Sequence, residues 1–180
     1  MSWCEELKEL VNSRQWDDIY LYAVRAMKEP GSNVQVTIEA IFLLFDSLVY
    51  KQYSSQSEYD KISDALRKLF AVGSSKFQYD PKYLFFVGYF IALAEWAFGQ
   101  DDLTLSYDML RRAAKIDSTN ILYEWGYRFS TNDPLARLLT GKLFLDKNTM
   151  EYLASLGEAG KLIAEAIETD YKFFRNEGLS

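Results

Sequence analysis

Histidine occurs nowhere in this 180-residue chain. That absence removes histidine-based catalytic triads, zincin motifs and the Glu-x-x-His centres of ferritin-like bundles in one step. One cysteine, Cys4, excludes an intramolecular disulfide framework and any cysteine-rich metal site. Three prolines and nine glycines, none of them clustered, leave no linker or low-complexity tract, so a single domain over residues 1–180 is expected. Long apolar runs are missing too. The longest, Tyr83 to Ala94, stops at Glu95, whereas a membrane span needs about 20 apolar residues; the segment reads as a helix buried all round. Met1 to Ser13 carries Glu5, Glu6 and Glu9 and has no basic stretch followed by an apolar one, which predicts a cytoplasmic protein without a secretory signal or membrane contact. Positive charge is in deficit, with 20 Lys and Arg against 26 Asp and Glu and a formal charge of −6. A phosphate backbone is repelled on average, and Arg111, Arg112 and Lys115 fit a solvated helix end, so no nucleic-acid partner is expected.

What the chain does have is apolar residues at helical spacing. Hydrophobic side chains make up 49% of it, enough for a compact core at this length. Ser2 with Glu5 forms a capping-box signature that predicts a helix to about Asn12. A second helix is expected from near Gln15 to Pro30, and a third over Val34 to about Tyr53. Ser57 with Asp60 marks the start of a fourth, ending at Gly73. Asp80 before Pro81 is the strongest start signal and opens a helix predicted to end at Gly99. Further helices are expected from Asp101 or Asp102 to Asp117, over Ile121 to Phe129, from Asp133-Pro134, and from Asn148, with Gly157 and Gly160 placed to kink or split the last. No stretch alternates with period two between hairpin turns, so the fold class is all-α with about nine helices.

Four of these segments share one inner-face pattern: Ile19, Ala23, Ala26, Pro30; Ile62, Leu66, Leu69, Gly73; Ser106, Leu110, Ala113, Asp117; and Ala159, Ile163, Ala166, Asp170. Steps of four, three and four, each ending on a turn-compatible residue, predict repeated antiparallel helical hairpins. Phe90, Leu93, Ala94 and Ala97 followed by Ser106, Leu110, Ala113 and Asp117-Ser118 resemble one tetratricopeptide (TPR) unit. Trp3, Leu7, Leu10, Trp16, Ile19, Ala23, Ala26 and Pro30 resemble another. The sets recur at uneven intervals longer than that family's usual ~34 residues. The resemblance implies a degenerate TPR-like α-solenoid; an irregular helical bundle accounts for the same small inner residues.

Catalysis has little to work with. Glu5, Glu6 and Glu9 fit the EExxE arrangement that binds magnesium in all-α nucleotide pyrophosphohydrolases, and acids in a first helical turn also suit the macrodipole. Asp17-Asp18 and Asp101-Asp102 do not extend into DDxxD metal motifs, and there is no GxxxxGK phosphate loop. Cys4 has acidic neighbours and no basic partner, unlike a reactive thiol. No catalytic residue, metal site or cofactor is assigned.

Binding has positive evidence. Aromatics are 16% of the chain, including four Trp, 13 Tyr and 12 Phe, and residues combining apolar area with a polar handle are enriched at interfaces. Trp16, Tyr20, Tyr53, Tyr59, Tyr107, Trp125 and Tyr127 lie at helix ends or in polar segments and are the candidate anchors. Asp17, Asp18, Glu58, Asp60, Asp101, Asp102 and Glu158 sit near the starts of the second helices of the four hairpins. In-register stacking would align them along one rim facing a basic partner. A small acidic helical protein with surface aromatics is similar in class to bacterial immunity proteins, which implies a non-enzymatic binder that occludes the active site of a toxin. A peptide-binding adaptor or secretion chaperone and a carboxylate-metal nucleotide phosphohydrolase are the alternatives.

Overall fold

The computed structural model describes residues 2–29 and 33–176. Among them are ten α-helices and no strand: α1 (Trp3–Asn12), α2 (Trp16–Lys28), α3 (Val34–Val49), α4 (Gln56–Lys76), α5 (Pro81–Leu93), α6 (Thr104–Ile116), α7 (Ile121–Ser130), α8 (Leu135–Leu145), α9 (Lys147–Ser155) and α10 (Glu158–Asn176). A short 3-10 turn, Glu95–Phe98, joins α5 to α6. The all-α expectation holds, and the additional helix comes from a split at Gly157.

Local chemistry accounts for most ends. Ser2 and Glu5 close the expected capping box on α1, and the Asp80 side chain accepts from the Tyr83 N–H ahead of Pro81. Pro30 lies outside the described residues; α2 ends at Lys28 with Glu29 extended (ψ 145°), the geometry imposed on a residue preceding proline. Other ends differ from the sequence expectation. The α3 helix stops at Val49 rather than near Tyr53, because Lys51 turns the chain at φ 53°. Ser55 rather than Ser57 caps α4, accepting from the Glu58 N–H. Gly73 sits inside α4 instead of ending it: a side chain there would meet the Tyr83 hydroxyl at 2.7 Å. Asp146 caps α9 in place of Asn148, and Asp170 lies within α10.

Two helices make the centre. Along α3 and α5 nearly every side chain is buried, charged Glu39 included. The other helices are amphipathic and wrap this pair, and one continuous core draws side chains from all ten. The repeated inner faces of α2, α4, α6 and α10 all face inward. Of the four hairpins, α5–α6 is the most intimate, with the Ser106 hydroxyl donating to the Gly88 carbonyl at 2.8 Å. The chain then returns on itself, so that α10 packs on α3, α8 and α9. The result is a bundle around α3 and α5.

Close approach of α10 to α9 depends on Gly160, where an added Cβ would lie 2.0 Å from the Leu153 carbonyl oxygen. Backbone cannot rotate away as a side chain does. Gly160→Ala is therefore expected to lower stability by about 1–3 kcal/mol, measured as a fall in the urea midpoint with an unchanged slope.

Candidate functional site

Two helix starts meet at one end of the bundle. Trp16, the first residue of α2, is almost fully buried, and its Nε1 donates to Glu58 Oε1 at 3.2 Å. Glu58, in the first turn of α4, also accepts from the Ser54 N–H at 2.7 Å, the Ser54 hydroxyl at 2.9 Å and Arg14 Nη1 at 2.9 Å. These donors hold its carboxyl below the usual range, with the Ser54 backbone N–H the main cause. Arg14 reaches Glu58 from the α1–α2 turn, where it adopts φ 55°. Tyr53 and Tyr59 pack edge to face beside them, ring centroids 5.3 Å apart.

The arrangement gathers Trp16, Asp17, Asp18, Tyr20, Tyr53, Glu58, Tyr59 and Asp60 on the start of one helix pair. Trp16 and Glu58 tie the two helices together, and Glu58 is thereby committed within the protein. Asp17, Asp18 and Asp60 are exposed and take part in no ion pair among the described residues; nearby Asp64 is held by Lys68 at 2.5 Å. The tyrosines Tyr20, Tyr53 and Tyr59 are half-buried against the core. The end is thus a platform of ordered rings bordered by exposed carboxylates without a cationic partner among the described residues, Asp60 accepting only from the Gln56 side-chain amide at 2.8 Å.

Two members of the expected rim are committed to partners within the protein, Glu58 to Arg14 and Glu158 to Lys8 and Lys161. Glu158 binds Lys8 at 2.6 Å and Lys161 at 2.9 Å, at the middle of α1, whereas Glu58 lies past the end of α1. Asp101 and Asp102 stand at the start of α6, exposed, and Asp102 accepts from the Thr104 N–H at 2.8 Å. Tyr107, one turn on, borders a small depression with Leu93 and Leu103.

Trp125 is not a surface anchor. Its side chain is 0% exposed, stacks between Tyr89 and Phe129, and donates from Nε1 to Thr140 Oγ1 at 2.9 Å. The polar letters around it mislead because α7 is enclosed by α5, α6 and α8. Tyr127 is half-exposed on the same helix, its ring 6.0 Å from the Arg128 guanidinium.

Of the acids of α1, Glu5 has a structural partner. Glu5 accepts from the Ser2 N–H at 2.7 Å, and among the described residues no three His, Cys, Asp or Glu side chains gather in a way that could hold a metal ion. Burial, then the Glu39 carboxylate, push the Cys4 thiol up from its ordinary value.

Sequence reasoning missed a second concave surface. An open groove of about 560 Å³ runs between α8 and α10, bordered by Leu138, Gly141, Leu145, Tyr171 and Phe174. Its signal lay in Leu135, Leu138 and Leu145, three and seven residues apart, which continue an apolar stripe on the outward side of α8. Among the described residues no helix is long and apolar enough to cross a membrane. No protein-family model, curated protein or solved structure matches the chain.

Proposed function

We propose that this protein is a non-enzymatic binding module that docks a basic protein surface on the acidic, tyrosine-rich end formed by the starts of α2 and α4. In its most concrete form, the partner is a toxin that the chain neutralises by covering the active site. The observation that supports this reading is the meeting of unpaired Asp17, Asp18 and Asp60 with ordered Tyr20, Tyr53 and Tyr59 on one helix pair. The two residue types do different work. Exposed carboxylates steer a cationic partner over distances of about a Debye length and accelerate encounter. Tyrosines already ordered by the core bring contact area at small entropic cost and slow dissociation.

Co-expression with the product of the adjacent gene, followed by growth rescue, tests the toxin assignment. In the purified pair, Asp17→Lys combined with Asp18→Lys and Asp60→Lys is expected to slow association about tenfold or more at low salt and to flatten its salt dependence. Tyr53→Ala should act instead on dissociation. Affinity and salt dependence that survive the triple reversal would assign the partner to another face. Magnesium-dependent nucleotide turnover lost in Glu6→Gln would overturn the non-enzymatic reading altogether.

A further inference from the structure

We infer that the groove between α8 and α10 is a second docking surface, built to receive an acidic amphipathic helix. Its apolar lining is open to solvent. Leu138 is 56% and Leu145 72% exposed, and Leu135 continues the row at 51%. From Leu138 to Leu145 is two helical turns, roughly 10 Å of rise, the span over which a partner helix presents anchors at i, i+3 or i+4, and i+7. A single acyl chain in the groove would leave the outer leucines wet, whereas a helix laid along α8 covers them.

Gly141 supplies an independent reason. It sits in the interior of α8, where glycine weakens a helix relative to alanine. The other helical glycines have a packing cause: a Cβ would meet Tyr83 at Gly73, Met109 and Leu110 at Gly88, Phe85 at Gly126, and the Leu153 carbonyl at Gly160. At Gly141 nothing lies within 4 Å of that position. The missing side chain faces the groove, so the fold does not require the glycine and an approaching partner backbone does.

Charge selects the partner. Arg137, Lys142 and Arg175 border the groove, and none of them enters an ion pair among the described residues. Arg137 lies over the Phe174 ring at 4.7 Å, which fixes a cation directly above the apolar surface. Two neighbouring acids are engaged elsewhere, Asp133 with Arg128 at 2.5 Å and Glu168 with Lys172 at 2.5 Å, while a carboxylate oxygen of Asp170 beside Tyr171 is buried rather than presented to the groove. A basic border on a chain of net charge −6 favours a ligand of the opposite sign to the one proposed for the α2–α4 end, so the two surfaces take different partners.

The test uses a fluorophore-labelled synthetic helix of about 14 residues, with leucine at i, i+3, i+7 and i+10 and glutamate elsewhere, beside the same peptide with lysine for glutamate. Fluorescence polarisation is expected to show the acidic peptide bound about tenfold or more tightly than the basic one. Gly141→Leu fills the groove from within and should weaken the acidic peptide about tenfold while Tm stays level or rises. Arg137→Glu with Arg175→Glu should reverse the preference. Equal binding of the two peptides, no acidic-peptide binding at about 100 μM, or unchanged affinity in Gly141→Leu overturns the inference. So does a concentration-dependent dimer abolished by Gly141→Leu, because the groove would then belong to a second copy of the chain. Reversal of Asp17, Asp18 and Asp60 leaves this binding intact, which keeps it separate from the α2–α4 interface.

Discussion

Trp125→Ala is expected to cost about 3–5 kcal/mol of stability, the range for emptying a large buried aromatic site. For a chain of this length each kcal/mol moves Tm by about 2–4 °C, so thermal unfolding should begin roughly 6–20 °C earlier. The loss has three parts. The indole fills the space between Tyr89 and Phe129, whose centroids lie 5.8 Å and 5.3 Å from it. Its removal leaves a cavity where α5, α7 and α8 converge. It also takes the Nε1–H away from Thr140 Oγ1, although the Thr140 hydroxyl keeps its own bond to the Ala136 carbonyl at 3.0 Å. Trp125→Phe retains most of the area and should lose markedly less. A surface anchor would behave in the opposite way, with binding weakened and Tm unchanged; that outcome would return Trp125 to the interface.

Glu39→Ala is the second large effect, at about 2–4 kcal/mol, because it strands two amide donors in a dry site. Glu39, 1% exposed on α3, accepts from the Glu158 N–H at 2.8 Å and the Ala159 N–H at 3.0 Å. It therefore caps α10 from a helix more than a hundred residues earlier, and the dipole of α10 favours its negative charge. Gly157 makes room for it: the chain turns there at φ 85°, and a Cβ would come within 2.7 Å of the carboxylate. Gln35 reinforces the same junction by donating from Nε2 to the Leu156 carbonyl at 2.5 Å.

Burial pushes the Glu39 carboxyl above its ordinary value of 4.5 despite the two amides; Glu158 adds to the rise, and Lys8 opposes it. The sign of the pH dependence follows. A carboxyl with a raised native pKa holds its proton more tightly when folded, so its contribution is greatest below the unfolded value and declines as pH rises through the native one. Glu39→Gln never has to bury a charge. Wild type should thus compare best with Glu39→Gln near about pH 4 and lose ground toward about pH 8, read from urea unfolding at each pH. Glu58 and Glu158 act in the other direction. Their carboxyls are lowered, Glu58 by the Ser54 amide and Glu158 by Lys8 and Lys161, and the stability they provide is lost as pH falls. A difference between wild type and Glu39→Gln that grows in favour of wild type as pH rises would show that the capping charge outweighs its burial.

The acids illustrate how far local reading extends. Asp17, Asp18, Glu58, Asp60, Asp101, Asp102 and Glu158 were legible as helix-start residues, and that is where they stand. Their availability was not legible. Glu58 is consumed by Arg14, Trp16 and Ser54, whereas Asp17, Asp18 and Asp60 remain open to solvent. The difference depends on which turn arrives beside which helix start, a non-local outcome. Trp125 failed for the same reason: one helical turn cannot reveal that other helices will enclose it. Gly141 is the converse, a residue that looks like a mild helix defect until the structure shows that nothing presses on it.

By itself, the sequence determined that the chain is helical, where most helices begin, and that α5 is buried all round, whereas the equally buried α3 emerged only in the fold. Caps, prolines and apolar periodicity act within a few residues, so they are written locally. Tertiary structure alone decided that α10 returns to α3, that a buried carboxylate from α3 caps it, that the α2 and α4 starts share one platform while Glu158 is bound by Lys8 and Lys161, and that a cation-bordered groove opens between α8 and α10. Those outcomes come from fitting whole helix faces together, where side-chain shape and the burial of charge over long chain separations choose among packings that local signals leave equivalent.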